Sequence, residues 1–177
     1  FMSAYIHSSV SGTVKSVAPR KDLAGNLQTV IEIAVEGDEW LESIDRTDTL
    51  VPEIPEDAKA TMEKIQLGGV VGLGGATFPT HVKLTPPPGK KCDMLIINGC
   101  ECEPYLTSDF RTLLDKGEQV VVGTAIIKKA LGVDRATIAI EDNKPEAIEH
   151  IQKVLQTLKA SSPEYSGIEV MSLMKKY

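Results

Sequence analysis

The sequence has no long hydrophobic run, and aromatic residues make up only 5% of its 177 residues. No segment approaches the roughly 20 consecutive apolar residues that a transmembrane helix needs, so a membrane-spanning segment is not predicted. The hydrophobic fraction of 42% and the charged fraction of 25% are instead typical of a soluble globular protein. A chain of this length can build one sizeable core, or one core and a small additional module.

Positive charge is also scarce. The chain has 19 lysine and arginine residues against 25 aspartate and glutamate residues, which gives a net charge of -6 at pH 7. Nucleic-acid-binding domains usually carry an excess of positive charge, so a nucleic-acid partner is not predicted. The balance still permits one local cationic pocket that binds a phosphate group.

Only three cysteines are present, Cys92, Cys100 and Cys102, and no secretory signal precedes them. An odd number of cysteines without such a signal predicts a reducing compartment. A tetrahedral zinc or iron-sulfur site usually needs four ligands, and the three histidines show no ligand spacing relative to the cysteines. The sequence therefore predicts no metal site.

Two β-rich runs occupy the N-terminal part of the chain. Thr13–Ala18 and Leu27–Val35 are rich in Val, Ile and Thr and predict two strands separated by a polar loop. The segment Asp38–Pro55 is acidic and irregular, which is typical of a connection between domains. We therefore predict two domains, residues 1–40 and residues 41–177.

The remainder of the chain alternates between helix and strand patterns. Helices are predicted over Pro55–Gln66, Lys116–Leu131 and Pro145–Lys159, and strands over Asp93–Asn98, Ala136–Ile140 and Gly167–Leu173. Pro55 suits the first turn of a helix, where its missing N–H would have no partner, and Gly132 is predicted to end the second helix. This alternation predicts right-handed crossovers and a parallel sheet. The predicted fold is therefore α/β, with a Rossmann-like parallel sheet domain.

The segment Gly68–Leu84, called here the glycine segment, has five glycines in its first eight residues. Glycine reaches positive φ without penalty and lets backbone N–H groups approach a ligand closely. A P-loop is excluded because Gly75 is not followed by Lys-Ser/Thr, and the usual dinucleotide fingerprint is excluded because a helix precedes the glycines and Pro79 follows them. A tight structural turn remains the alternative explanation.

Two side chains beyond the glycines favour a binding role. Phe78 offers a flat ring for stacking on a planar heterocycle, and Lys83 offers a charge for a phosphate. Each alone is weak evidence, because phenylalanine is more often a core residue and lysine more often solvated. Together with the glycines they predict a site shaped for a nucleotide.

The segment Asn98–Tyr105, called here the strand-end segment, directly follows a predicted strand. Ligands of open parallel sheets bind beyond the carboxyl ends of the strands, so Asn98, Glu101 and Glu103 fall where a site is expected. Amide and carboxylate groups suit ribose or ribityl hydroxyls and ring N–H groups. These features match a flavin together with a nicotinamide nucleotide, bound in one cleft formed by the two segments. The alternative is an acidic, solvated loop.

Two stretches resemble a known family. GLGGATFPTHVKL and LIINGCECEPYLTSDFRTLLD are similar to the C subunit of the Rnf complex, a membrane-bound ferredoxin:NAD+ oxidoreductase. More distantly they resemble the flavin-bearing, NADH-oxidising subunit of respiratory complex I, which carries GRGGAGFPTGLKW and an Asn-x-x-Glu-x-Glu-Pro element. The N-terminal HSSVSGTVKSVAPR resembles the small β barrel-sandwich, similar to biotinyl and lipoyl domains, that precedes this module in Rnf C subunits.

The resemblance implies roles for eight residues. It assigns Gly72, Gly74, Gly75 and Lys83 to the phosphate side of FMN, Asn98 and Glu101 to its ribityl chain or ring, and Phe78 and Glu103 to NAD(H). The implied activity is hydride transfer between nicotinamide and FMN, followed by single-electron transfer to iron-sulfur clusters. The implied partners are the other Rnf subunits, with the protein peripheral to the cytoplasmic side of the cell membrane.

Departures from the family pattern concern three positions and both ends of the chain. Leu73 stands where the complex I pattern has arginine, Cys100 where it has an acidic residue, and Thr77 where it has glycine. A later glycine-glutamate motif and the cysteine-rich cluster motifs would follow Tyr177. We therefore expect a fragment, trimmed also within the sandwich pattern, that keeps its fold, binds FMN weakly or not at all, and is by itself inactive.

Two alternatives remain. The first is a soluble protein similar to Rnf C that transfers electrons to a reductase. The second is a non-catalytic carrier or docking module, based on the biotinyl-like N-terminus. Carrier domains need a modifiable lysine in a hairpin turn, and the Ser11-Gly12 turn has none because Lys15 lies in the following strand.

Overall fold

A computed structural model describes residues 2–176, which form two compact units. One unit is Ile6–Thr49, and the other begins at Leu50 and includes the short segment before Ile6. The division by contacts therefore falls after Thr49. The domain boundary near residue 40 stays a prediction.

The first unit contains an antiparallel pair of strands, β1 (Gly12–Lys21) and β2 (Leu27–Val35). The turn between them is closed by Asp22, whose carboxylate accepts hydrogen bonds from the backbone N–H groups of Ala24 and Asn26. Both strands were predicted, although β1 continues past Ala18. These are the only strands within residues 6–49, so the structure does not confirm the barrel-sandwich.

The second unit alternates helices and strands. In chain order they are α1 (Ala58–Leu67), α2 (Thr80–Lys83), β3 (Leu95–Asn98), α3 (Ser108–Asp115), α4 (Gly117–Leu131), β4 (Ala136–Glu141), α5 (Pro145–Ser161) and β5 (Ile168–Leu173). A single turn of 3₁₀ helix, Pro163–Tyr165, precedes β5. None of the described helices is both long enough and apolar enough to cross a membrane.

The three strands of this unit form a parallel sheet in the order β3-β4-β5. Every residue of the central strand β4 is buried, as expected for a parallel strand covered on both faces. Apolar residues of α4 and α5, among them Val121 and Ile151, join the strands in one core cluster. The predicted α/β fold with a parallel sheet is confirmed.

The helix boundaries follow from local capping. Helix α1 begins at Ala58 because the carboxylate of Asp57 accepts a hydrogen bond from the Ala60 N–H at 3.0 Å. The predicted start at Pro55 is therefore three residues too early. Helix α4 ends as predicted at Gly132, whose φ of 65° closes the helix in the left-handed region.

Candidate functional site

The tip of the glycine segment is a closed, exposed loop. An antiparallel bridge pairs Val71 with Pro79, and the Gly72 N–H donates to the Phe78 carbonyl at 3.0 Å. Beyond this bridge the chain is exposed from Leu73 to Thr77. The loop therefore presents backbone, with few side chains, at the surface.

Two loop residues have positive φ. Gly75 has φ 108°, which is easy for glycine, and Thr77 has φ 47°. A β-branched residue is rare in the left-handed region, so Thr77 is held there by the closed loop. Thr77 is also the position where the complex I pattern has glycine.

Lys83 ends helix α2, and its ammonium lies beside the loop. A Cβ added to Gly72 would lie 3.9 Å from the Lys83 Nζ and 3.9 Å from the Phe78 carbonyl oxygen. At Gly74 and Gly75 an added Cβ would meet no atom within 4 Å. The structure thus places Lys83 beside Gly72, and Gly74 and Gly75 face open space.

The strand-end segment begins with a tight turn. The Asn98 carboxamide oxygen accepts a hydrogen bond from the Cys100 N–H at 3.1 Å. The Gly99 N–H donates to the Ala139 carbonyl at 2.8 Å, which continues the ladder between β3 and β4. An added Cβ at Gly99 would lie 3.0 Å from that same oxygen. Asn98 is exposed, at the carboxyl end of its strand.

Glu101 has a structural role that the sequence interpretation missed. Its side chain is buried, and its Oε1 accepts hydrogen bonds from the N–H groups of Asp109 (2.8 Å) and Phe110 (3.0 Å). These groups lie in the first turn of α3, where helix N–H groups have no partner within the helix. Burial raises the pKa of the Asp109 carboxyl, and the carboxylates of Glu101 and Glu141 raise it further.

Glu103 is exposed and lines a cavity of about 570 Å³, called here the Glu103 cavity. Residues 103–107 form one side of it, and Asn143, Lys144 and Lys175 form the other. Tyr105 is fully exposed and has φ 67°, a strained conformation for an aromatic residue.

A second, smaller cavity of about 240 Å³ lies at the carboxyl ends of all three strands and is called here the Glu141 cavity. It is lined by residues 100–102, residues 173–176 and Glu141, and it shares Lys175 with the Glu103 cavity. Burial, and then the Glu141 carboxylate, raise the pKa of the Cys100 thiol. Glu141 was not among the predicted site residues, although an acidic residue at the end of a buried strand is a signal for a candidate.

The predicted site residues fall into two groups. The glycines, Phe78 and Lys83 belong to the glycine segment, and Asn98, Glu101 and Glu103 belong to the strand-end segment. No hydrogen bond or ion pair within residues 2–176 links the two segments, and neither cavity described above is lined by the glycine segment. Their convergence on one cleft stays a prediction. In the same residues no cluster of three or more His, Cys, Asp or Glu side chains is arranged to hold a metal ion.

A parallel sheet with polar groups beyond its strand ends is typical of α/β proteins that bind ligands at the carboxyl edge of the sheet. Similarity to known proteins identifies the family within this class. The family model of the Nuo51 FMN-binding domain matches residues 65–177. The chain belongs to this family.

Similar curated proteins are C subunits of ion-translocating oxidoreductase complexes. The chain is 43% identical to the C subunit of the proton-translocating ferredoxin:NAD(+) oxidoreductase complex of Clostridium ljungdahlii, over 100% of this chain and 36% of that protein. It is 41% identical to the C subunit of the Na(+)-translocating complex of Acetobacterium woodii, over 100% of this chain and 38% of that protein. The chain thus spans little more than a third of the length of these relatives.

Solved structures support the fold. Structures of an NAD+-reducing [NiFe]-hydrogenase in the H2-reduced and air-oxidized states match with TM-scores of 0.54 and 0.55. Each match covers 66% of this chain, at 22% and 21% identity, and about a fifth of the other chain. At this identity the likeness concerns the fold alone.

Proposed function

We propose that this chain is the FMN- and NAD(H)-binding part of the C subunit of an Rnf-type, ion-translocating ferredoxin:NAD+ oxidoreductase. The observation that carries the proposal is the family match over residues 65–177, which includes both the glycine segment and the strand-end segment. The names of the curated relatives support the same activity.

The glycine segment fits the phosphate end of FMN. Gly74 and Gly75 leave the space around the loop open, and the Lys83 ammonium lies beside Gly72. A single cation next to accessible backbone is suited to a phosphate group, which accepts hydrogen bonds from both. We assign Lys83 as the principal charge partner of the FMN phosphate.

The strand-end segment would hold the rest of the ligands. Asn98 and Glu101 are assigned to the ribityl chain or ring of FMN, and Phe78 and Glu103 to NAD(H). Glu101 can serve a ligand only with lone pairs that its two hydrogen bonds to α3 leave available. FMN would supply hydride and single-electron transfer chemistry when bound, and the residues of this chain would bind and orient the two nucleotides.

The proposal has further parts. The Rossmann-like assignment of residues 41–177 and the partial barrel-sandwich assignment of residues 1–40 belong to it. So do the iron-sulfur clusters in a further part of the protein, the other Rnf subunits as partners, and a peripheral position on the cytoplasmic side of the cell membrane.

The central experiment uses the full-length protein. It is reconstituted with FMN and mixed anaerobically with NADH, and the flavin absorbance is followed. We expect the absorbance to bleach as the flavin is reduced. Bound flavin that NADH does not reduce would refute the catalytic assignment.

Lys83→Ala tests the phosphate assignment. Loss of a charge-assisted hydrogen bond should weaken FMN binding by about 1.5 to 3 kcal/mol, which is roughly 10- to 100-fold in Kd. Lys91→Ala, which changes an exposed lysine outside the glycine segment, serves as the matched control and should leave the Kd unchanged. The Kd is measured from the quenching of flavin fluorescence, and equal values for both variants and the unsubstituted protein would reject the role of Lys83.

The alternatives are separated by partners and by flavin content. A soluble electron-transfer protein similar to Rnf C would bind FMN but would not copurify with membranes. A docking module based on the biotinyl-like N-terminus would copurify with its partner without bound flavin. Fractionation of the full-length protein, with flavin content measured in each fraction, distinguishes all three.

A further inference from the structure

The Glu141 carboxylate is buried, and only one of its two oxygens has a partner. Its side chain is 5% exposed, and its Oε1 forms an ion pair with the Lys175 Nζ at 2.6 Å. The other oxygen, Oε2, is buried and has no hydrogen-bond partner among the described residues. A buried carboxylate oxygen without a donor is unfavourable, so such a group needs an explanation.

The position of Glu141 points to a ligand. It is the last residue of the central strand β4 and lines the Glu141 cavity, at the edge of the sheet where ligands of parallel sheets bind. The cavity, at about 240 Å³, is smaller than the roughly 300 to 1,000 Å³ of a complete ligand site. It can therefore hold one functional group of a larger ligand.

The charges around the cavity define the kind of group. The negative charge of Glu141 is balanced by Lys175, so the cavity does not demand a cation. The lining also contains one further acidic residue, Glu101, and one further basic residue, Lys176, so its charges balance. One oxygen of Glu101 is already bonded to the backbone of α3. The remaining requirement is a neutral O–H or N–H donor for Oε2 of Glu141.

We propose that Oε2 of Glu141 accepts a hydrogen bond from a neutral donor of the nucleotide bound at this edge of the sheet. The inference rests on the proposed function. The shared chemistry is a hydroxyl or amide N–H group, which either FMN or NAD(H) supplies. Lys175 holds the carboxylate in place through Oε1, and the ligand donates the hydrogen bond that Oε2 lacks.

The test uses the full-length protein and Glu141→Gln. A glutamine whose side-chain oxygen faces Lys175 places its NH2 group where Oε2 of Glu141 was. Because NH2 is itself a donor, it cannot accept the hydrogen bond from the ligand. Fluorescence quenching measures the Kd for FMN, and calorimetry measures the Kd for NAD+ on the FMN-loaded protein. We expect one of the two values to rise roughly 10- to 100-fold, and the affected ligand is the one that supplies the donor. Glu149→Gln, an exposed carboxylate on α5, is the matched control and should change neither.

A double variant, Glu141→Gln with Lys175→Met, separates ligand binding from an effect on stability. We expect Glu141→Gln alone to lower the melting temperature, because it removes the carboxylate charge that balances Lys175, whereas the double variant removes the lysine charge as well. We expect the double variant to regain melting temperature without regaining affinity. It also keeps the test possible if the single variant does not fold.

Three results would overturn the inference. Unchanged affinity for both ligands in Glu141→Gln would show that something other than the nucleotide, such as water, serves Oε2. Recovery of full affinity in the double variant would show that Glu141 acts only through Lys175. Failure of the unsubstituted protein to bind either nucleotide would refute the proposed function and this inference together, whereas the first two results leave the proposed function intact.

Discussion

Single side chains hold distant parts of the second unit together. The Tyr165 hydroxyl donates a hydrogen bond to the Pro52 carbonyl at 2.5 Å, and the tyrosine is 1% exposed. Tyr165→Phe should lower the free energy of unfolding by about 1 to 3 kcal/mol, because the Pro52 carbonyl loses its donor. Denaturant unfolding measures the change. Tyr105→Phe, at a fully exposed tyrosine, should have no effect.

The same hydroxyl predicts a pH dependence. Burial raises the pKa of Tyr165 above its ordinary value of 10.0. Because the pKa is higher in the folded state, the hydroxyl stabilises the fold fully below that ordinary value, and this contribution is lost as the pH rises through the folded-state pKa. The unsubstituted protein should therefore lose more stability than Tyr165→Phe as the pH is raised above 10.0. Equal losses in parallel unfolding curves would contradict the assignment.

Cys100 differs from the other cysteines in its surroundings. Burial and the Glu141 carboxylate raise the pKa of its thiol, whereas Cys92 and Cys102 are exposed. Because the thiolate is the reactive form, Cys100 should be alkylated more slowly than the other two by iodoacetamide at mildly alkaline pH. Peptide mass spectrometry over time measures the three rates. Faster labelling at Cys100 than at Cys102 would contradict the structure at this edge of the sheet.

At the level of secondary-structure elements, helix α3 depends on a residue outside it. Glu101 accepts hydrogen bonds from two N–H groups of its first turn. Glu101→Ala should lower the free energy of unfolding by about 0.5 to 2 kcal/mol, the cost of losing a helix cap. Glu101→Gln keeps an acceptor oxygen and should cost less. Glu103→Ala, at an exposed residue of the same segment, is the control for stability.

The pair of Glu101 variants also separates folding from binding. If Glu101 contacts FMN through its charge, Glu101→Gln should weaken FMN binding while leaving α3 in place. If Glu101 serves only the helix, stability and FMN affinity should change together in Glu101→Ala and remain near their original values in Glu101→Gln. Unfolding curves and flavin titrations on the same samples decide between these outcomes.

Helix α3, like the single-turn helix α2, was not predicted by the sequence analysis. Its pattern is short, and the side chain that caps it lies seven residues before Ser108, in a different segment. Helices α4 and α5 were predicted to within two residues because their apolar periodicity is long and their ends carry Gly132 and Pro145. The local sequence pattern is therefore sufficient to predict a helix when the residues that cap it are adjacent to it in the chain.

For the molecule as a whole, ligand binding and stability are linked. A ligand that binds only the folded state stabilises it, by about 2.7 kcal/mol when its free concentration is 100 times its Kd. FMN should therefore raise the stability of the full-length protein by about this amount, and Lys83→Ala should reduce the gain at the same FMN concentration. Denaturant unfolding with and without FMN measures the difference. An equal gain in both proteins would contradict the assignment of Lys83.

At this scale the sequence predicted the kind of site better than its layout. Residue types alone identified the glycine segment, the lysine beside it and the polar groups after β3. Gly72 and Lys83 lie close together within a single loop and helix, so sequence reasoning could anticipate that they are neighbours. The relation between the glycine segment and the strand-end segment depends on how the chain between them packs, which no local pattern reports.

The α/β alternation, the parallel sheet and the chemistry of the two segments follow from local sequence, because periodicity, glycine and charge act over a few residues. The partners of Glu101, Glu141 and Tyr165 follow only from the folded chain. Glu101 and Tyr165 form hydrogen bonds with residues outside their own segment of the chain. One carboxylate oxygen of Glu141 has no hydrogen-bond partner among the described residues. Burial makes such a group depend on its partner, and only the tertiary packing decides which partner is within reach.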